Sequence, residues 1–111
     1  RRFLMHDLVL GRVSSGHPLY EFLIENGAPA AELSWLQDNP GLIDVIGLDY
    51  YPHSEMEWRW RGREQMARKL KQARGFAAVA RDYIERYQLP VMLGETNIRG
   101  SVNDRIAWLK F

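Results

Sequence analysis

The amino-acid sequence predicts an α/β fold with a parallel sheet. Two nearly continuous apolar runs, near residues 43–50 and 90–95, have the composition of strands that are covered on both faces. Between them, residues 63–88 have the amphipathic periodicity of a long helix. A strand, a helix and a second strand in this order form a βαβ unit, and the strands of such a unit are parallel.

Two short helices are predicted before the first strand. The first begins near Pro18, which suits an opening helical turn, and stops before Gly27. The second runs from about Pro29 to Asp38, where the sequence Asn-Pro-Gly stops it. The segment 1–13 is mixed and apolar, without a clear period.

The first strand is followed by a predicted loop, residues 52–63, and then by the long helix. Apolar residues recur in this helix at steps of three and four: Met66, Leu70, Ala73, Phe76, Ala80, Tyr83, Ile84 and Tyr87. Gly75 lies inside the pattern and costs about 1 kcal/mol relative to Ala, so we expect a bend or a split there. After the second strand, Ser101 is a suitable N-cap for a further helix.

Composition excludes several classes of protein. With 15 basic and 14 acidic side chains in 111 residues, the net charge is +1, which gives no electrostatic case for binding nucleic acid or an anionic membrane. The chain has no cysteine, so disulfides, thiolate zinc sites and cysteine nucleophiles are excluded. The histidines lack ligand spacing and no nucleotide-binding motif is present, so we expect neither a metal nor a cofactor. No apolar run reaches the ~20 residues of a membrane helix, and we expect a cytoplasmic protein.

Polar and aromatic side chains follow both predicted strands. In parallel α/β folds, active groups gather at the carboxyl ends of strands. Because side chains alternate along a strand, we place Val45, Gly47, Asp49 and Tyr51 on the same face as Val91, Leu93 and Glu95. A tyrosine hydroxyl on that face is expected to donate a hydrogen bond to the Glu95 carboxylate, which would keep the carboxylate ionised and oriented.

Each of these residues also has a structural explanation. Glu95 would serve equally as a solvated turn residue, Asp49 as an acceptor for loop amides, and the two tyrosines as aromatics at the edge of the core. In the loop, Trp58 and Trp60 either stack on the apolar faces of sugar rings or pack beneath the loop.

The sequence "IDVIGLDYYP", followed about forty residues later by "LPVMLGETN", resembles strands six and seven of the clan A glycoside hydrolases. These are retaining (β/α)8 barrels, and the pattern is closest to the family-1 β-glycosidases. The upstream piece "FLMHDLVLGRV…HPLYEFL" resembles that family's segment before strand six. The resemblance implies a partial TIM barrel, in which residues 1–111 are a single segment of the catalytic domain, truncated at both ends.

The resemblance also implies a function, the retaining hydrolysis of O-glycosyl bonds. Glu95 would be the nucleophile and Tyr51 would hydrogen-bond its carboxylate. The family's acid/base glutamate belongs to an N-E-P-like motif that this chain lacks, so the segment is expected to be inactive alone. Two positions differ from the family pattern, because Asp49 replaces the usual Asn and "GETN" replaces "TENG". A carbohydrate substrate is expected to contact Asp49, Tyr50, His53, Trp58, Trp60 and Asn97.

Two alternatives remain at this point. One is a non-catalytic carbohydrate-binding or scaffold relative of the same barrel, and the other is an unrelated α/β enzyme in which Glu95 abstracts a proton. Two strands do not make a stable parallel sheet alone, so we also expect the segment to self-associate through exposed sheet edges.

Overall fold

The computed structural model describes residues 2–61 and 64–110. It is a mixed α/β structure with a two-stranded parallel sheet and a two-stranded antiparallel sheet. The helices are α1 (Leu4–Val9), α2 (Tyr20–Glu25), α3 (Ala30–Asp38), α4 (Phe76–Tyr87) and α5 (Val102–Leu109), and the strands are β1 (Ile46–Asp49), β2 (Met56–Arg61), β3 (Glu64–Lys69) and β4 (Val91–Glu95). The chain divides into two compact units, residues 1–44 and 45–111. The predicted α/β class is confirmed, and the described ranges contain no closed barrel.

The first unit contains α1, α2 and α3. The two predicted helices are confirmed as α2 and α3, whereas α1 lies in a segment for which the sequence predicted no element. Val13 and Leu33 form its buried apolar core. Asp7 is also buried, and its carboxylate lies 3.2 Å from Nε2 of His17. A buried carboxylate requires such a partner, because an unpaired charge in the core costs several kcal/mol, on the order of 3–5.

The second unit contains the predicted βαβ arrangement. β1 pairs with β4 in parallel, and α4 lies between them in sequence, as predicted. β1 is shorter than the predicted strand 43–50. Ile46 is buried, but Val45 and Leu93 are 47% and 40% exposed. The expectation that both strands are covered on both faces is therefore not met within this chain.

The structure corrects two predictions between the first strand and Gly75. The expected loop 52–63 contains β2, and the first half of the expected long helix is β3. These strands form an antiparallel pair in which Glu57 lies opposite Arg68. A hydrogen bond from Arg59 and the charges of Arg59 and Arg68 lower the pKa of Glu57.

The hairpin has a recognisable sequence basis. In "MEWRWR" apolar and charged residues alternate, a two-residue period that is typical of strands. Met66 in β3 and Leu70 just after it also fit a helical period, which favoured the wrong prediction. Pairing with β2 satisfies the β3 backbone and sets side chains against cross-strand partners, which outweighs a weak local helix preference.

The expected bend or split within one long helix at Gly75 is instead the start of a helix, since this residue is the N-cap of α4 and the segment before it is not helical. Its backbone lies at φ 85° and ψ 158°, a region that is essentially restricted to glycine. α4 buries Tyr83 and Tyr87, two members of the predicted apolar face. The predicted cap of the last helix is also confirmed, because Ser101 forms a capping box with Asp104 at the start of α5. In the part of the chain that the structure describes, no helix is long and apolar enough to cross a membrane.

Candidate active site

The carboxyl ends of β1 and β4 lie side by side and bring the two strand-end acids together. Asp49 and Glu95 are register partners, and both are exposed. The pairing continues one residue further, because the backbone N–H of Tyr50 donates to the carbonyl of Glu95 over 2.8 Å. The parallel pairing therefore sets the position of both carboxylates at one edge of the sheet.

A shift in register decides which face Glu95 occupies. Gly47 pairs with Met92 and Leu48 pairs with Leu93, so the prediction that Leu93 shares a face with Gly47 and Asp49 was wrong. Between Leu48 and Asp49 the register shifts, and Asp49 pairs with Glu95 instead of Gly94. The extra residue in β4 turns Glu95 to the face of Asp49, as bulges commonly do near active sites.

Gly94 lies between Leu93 and Glu95, at the position where the register shifts, and is not paired with a residue of β1. A Cβ atom at this position would lie 3.0 Å from Oδ1 of Asp49, closer than ordinary van der Waals contact. The glycine thus allows the Asp49 carboxylate to approach the β4 backbone. The role of Gly94 could not be predicted from the sequence, because a register shift has no local sequence signal.

The predicted hydrogen bond between a tyrosine and Glu95 is present. The hydroxyl of Tyr51 donates to Oε1 of Glu95. This hydrogen bond, with smaller contributions from burial and from the charges of Glu95 and Asp49, raises the pKa of Tyr51 to about 12. The phenol therefore remains a donor throughout the physiological pH range, and one oxygen of the Glu95 carboxylate has a fixed partner.

Replacing Glu95 with glutamine should return the pKa of Tyr51 from about 12 toward its ordinary value of about 10. The reason is that an amide oxygen accepts a weaker hydrogen bond from the phenol than a carboxylate does, and that the negative charge disfavouring tyrosinate is lost as well. The measurement is a pH titration of the tyrosine Cζ resonances by NMR. Because the folded-state pKa is raised, this pair stabilises the fold fully below about pH 10 and loses its contribution as the pH rises toward 12.

Glu55→Gln is a matched control for this titration, because it replaces the acidic partner of the neighbouring Tyr50. The pKa of Tyr50 is also raised to about 12, first by burial and then by the hydrogen bond to Glu55. Glu55→Gln should therefore lower the pKa of Tyr50 and leave that of Tyr51 unchanged. An unchanged Tyr51 titration in Glu95→Gln would show that the two side chains are not bonded in solution.

Tyr50 lies in the core, away from its predicted role as a substrate contact. It is 5% exposed, and its ring stacks on Trp108 with centroids 5.6 Å apart and planes at 6°. Its carbonyl accepts a hydrogen bond from Thr96 Oγ1 at 2.6 Å, and the same hydroxyl oxygen accepts one from Trp108 Nε1 at 2.7 Å. These hydrogen bonds connect the residue after β1 to Thr96, which follows Glu95, and to Trp108 in α5. Tyr50 therefore holds the strand ends in place without contacting a substrate.

Glu55 completes the support, and sequence reasoning missed it. Its carboxylate accepts hydrogen bonds from the Tyr50 hydroxyl at 2.7 Å and from the backbone N–H groups of Arg74 and Gly75 at 3.0 and 2.9 Å. Burial alone would raise the pKa of Glu55, but these three donors and the Arg74 charge together lower it. Its partners lie up to 20 residues away in sequence, so nothing local could have indicated them.

A cleft of about 290 Å³ lies between the segments that follow β1 and β4. The predicted contacts His53 and Asn97 both line it, and the structure brings these two together with Tyr51. The imidazole of His53 stacks on the Tyr51 ring with centroids 5.5 Å apart and planes at 8°. Pro52, Ile98 and Arg99 also line the cleft. Arg99 was not among the contacts predicted from the sequence.

The two tryptophans lie in the hairpin, and Trp58 does not line this cleft. Trp58 is in β2 opposite Ala67, and 58% of its surface is exposed. The backbone of Trp60 is paired with Gln65, whereas its side chain lies outside the described residues. Sugar contacts by these two indoles remain a prediction.

Three comparisons with known proteins complete the description of the site. No family model, curated protein or solved structure matches the chain. Within residues 2–61 and 64–110, no three His, Asp or Glu side chains are grouped to hold a metal ion.

Proposed function

We propose that this chain supplies the nucleophile of a retaining glycoside hydrolase with a (β/α)8 barrel. The observation that carries the proposal is the hydrogen bond from Tyr51 to the Glu95 carboxylate, at the ends of two adjacent parallel strands. A carboxylate that is fixed at one oxygen by a hydrogen bond and exposed at a strand end is suited to act as a glycosidase nucleophile.

The two oxygens of Glu95 have different environments. Oε1 accepts the Tyr51 hydrogen bond, whereas Oε2 has no hydrogen-bond partner among the residues that the structure describes. In the proposed reaction Oε2 attacks the anomeric carbon and the glycosidic bond breaks. A covalent glycosyl-enzyme forms, which water then hydrolyses. Tyr51 keeps the attacking carboxylate in one orientation.

Retaining hydrolysis requires a second carboxyl group about 5–5.5 Å from the nucleophile, which protonates the leaving oxygen and then activates water. Two nearby acids are already engaged. Glu55 accepts three hydrogen bonds, and Glu57 binds the Arg59 guanidinium at 2.8 Å. The third, Asp49, stands where the resembled family usually has Asn, and that family's acid/base motif is missing from this sequence. We therefore place the acid/base group in a part of the protein outside these 111 residues, which makes the chain inactive alone.

Exposed apolar surface on the parallel pair supports the barrel part of the proposal. Val45, Met92 and Leu93 are 47%, 56% and 40% exposed, although parallel strands are normally covered on both faces. Further strands and helices of a barrel would cover them. Surface of this kind otherwise marks an interaction site.

A second candidate is a carbohydrate-binding protein without catalysis. The observation that favours it is the exposed indole of Trp58, which offers a flat apolar surface independent of Glu95. Such a protein would bind sugars and leave glycosidic bonds intact.

The proposal is tested with a 2-deoxy-2-fluoro glycosyl fluoride, which traps the glycosyl-enzyme. The protein that contains this segment is incubated with the reagent, digested and analysed by mass spectrometry. We expect the label on Glu95, none in Glu95→Gln, and full labelling in Glu85→Gln, which removes an equal charge from the outer part of α4. Sugar binding without any label would favour the binding protein and contradict the hydrolase.

A further inference from the structure

The cleft beside Tyr51 combines positive charge with hydrogen-bond donors. It lies between residues 51–53, which follow β1, and residues 97–99, which follow β4. Among the residues that the structure describes, no acidic side chain lines the cleft, although Asp49 and Glu95 lie close by in sequence. We propose that this cleft binds the anionic substituent, a carboxylate or a phosphate, of the sugar that reacts at Glu95. This inference rests on the proposed function and defines its substrate class.

Arg99 is the main reason for this assignment. Its side chain is exposed and lines the cleft, and it forms no ion pair with any residue in the described ranges. Arg74 and Arg59 are paired by contrast, since Arg74 binds Asp82 at 2.6 and 3.1 Å and Arg59 binds Glu57. A guanidinium without a carboxylate partner, at the wall of a cleft, is suited to bind a carboxylate or phosphate in a bidentate manner.

Asn97 adds a donor with a defined orientation. Its Oδ1 accepts the backbone N–H of Ile98 at 2.8 Å, so the amide nitrogen Nδ2 is directed to other partners. His53 contributes an exposed imidazole that its stacking on Tyr51 holds in place. Arg99, Asn97 and His53 therefore offer the cleft a cation, an amide donor and an imidazole.

Tyr51 connects this cleft to the proposed nucleophile. Its side chain lines the cleft, and its hydroxyl is bonded to Glu95. A ligand that fills the cleft therefore lies next to the carboxylate. The volume of about 290 Å³ is at the lower end of the ~300–1,000 Å³ typical of ligand sites, which suits one sugar ring or its substituent. Because Glu95 itself repels anions, Arg99 is needed to make an anionic sugar acceptable there.

The test is a ligand titration of the protein that contains this segment, followed by amide NMR. The ligands are methyl β-glucoside, methyl β-glucuronide, glucose 6-phosphate and inorganic phosphate. We expect at least one anionic sugar to bind ten times more tightly than the neutral glucoside, with shifts concentrated at residues 51–53 and 97–99. The carboxylate and phosphate ligands identify which anion the cleft prefers. Inorganic phosphate should bind more weakly than the preferred sugar, because it lacks the ring.

Matched variants separate Arg99 from general charge. Arg99→Gln should remove the tenfold preference, Arg99→Lys should keep part of it, and Arg105→Gln, an equal charge change on α5, should leave it intact. Equal binding of neutral and anionic sugars, or equal losses in Arg99→Gln and Arg105→Gln, would overturn the inference. Such a result leaves the labelling of Glu95 unaffected. If Glu95 is not labelled but anion binding still depends on Arg99, the hydrolase proposal is contradicted and the anion-binding inference is not.

Discussion

Replacing Glu95 with glutamine is expected to lower the rate of glycoside cleavage by at least about a thousandfold in the protein that carries both carboxyl groups. The amide is nearly isosteric with the carboxylate, so the end of β4 should keep its structure. It has no charged oxygen to attack the anomeric carbon, and it cannot stabilise the positive charge that develops there. Steady-state kinetics with an aryl glycoside measure the loss.

Restoring an external nucleophile distinguishes a chemical role of Glu95 from a structural one. In Glu95→Ala, azide can occupy the space of the lost side chain, and we expect it to restore cleavage and give a glycosyl azide of inverted configuration. Glu85→Gln should cleave at the wild-type rate. If Glu95→Gln retains most of the activity, or azide gives no azide product, Glu95 is not the nucleophile.

The parallel pairing and its strand-end residues could be predicted because both rest on local patterns. Apolar runs with β-branched residues identify strands, and a helix between two strands implies that they are parallel. Tyr51 and Glu95 follow from the rule that active groups gather at the carboxyl ends of such strands. The resemblance added roles for these residues, which remain proposals.

The hairpin and the exact facing of Glu95 depend on pairing between strands, which a single sequence does not show directly. The segment 64–69 fits a helical and an extended pattern, and only its partner β2 decides between them. Similarly, a regular register would have placed Glu95 on the opposite face from Asp49, and the shift at Gly94 reverses this. The agreement with the predicted Tyr51 hydrogen bond thus came from a strand geometry that the sequence analysis had not foreseen.

The side chain of Tyr50 is expected to be the main stability determinant at this edge of the sheet. Tyr50→Ala should destabilise the second unit by about 3–5 kcal/mol, as is usual for a buried aromatic. The substitution removes the ring that stacks on Trp108 and lies 5.9 Å from Phe76, and it removes the hydroxyl that donates a hydrogen bond to Glu55. Domains are commonly stable by only about 5–15 kcal/mol, so this is a large share. Urea unfolding followed by circular dichroism measures it.

Two controls divide this effect between packing and hydrogen bonding. Tyr50→Phe keeps the ring and removes the hydroxyl, and it should cost about 1.5 kcal/mol, because Glu55 keeps its two backbone donors. Trp35→Ala removes an aromatic ring that is 61% exposed and should cost no more than about 0.5 kcal/mol. If Tyr50→Ala shifts the urea midpoint no further than Trp35→Ala, the ring does not hold the end of β1. In that case the position of Tyr51, the next residue, would depend on the hydrogen bond between Tyr51 and Glu95 and not on the packing of Tyr50.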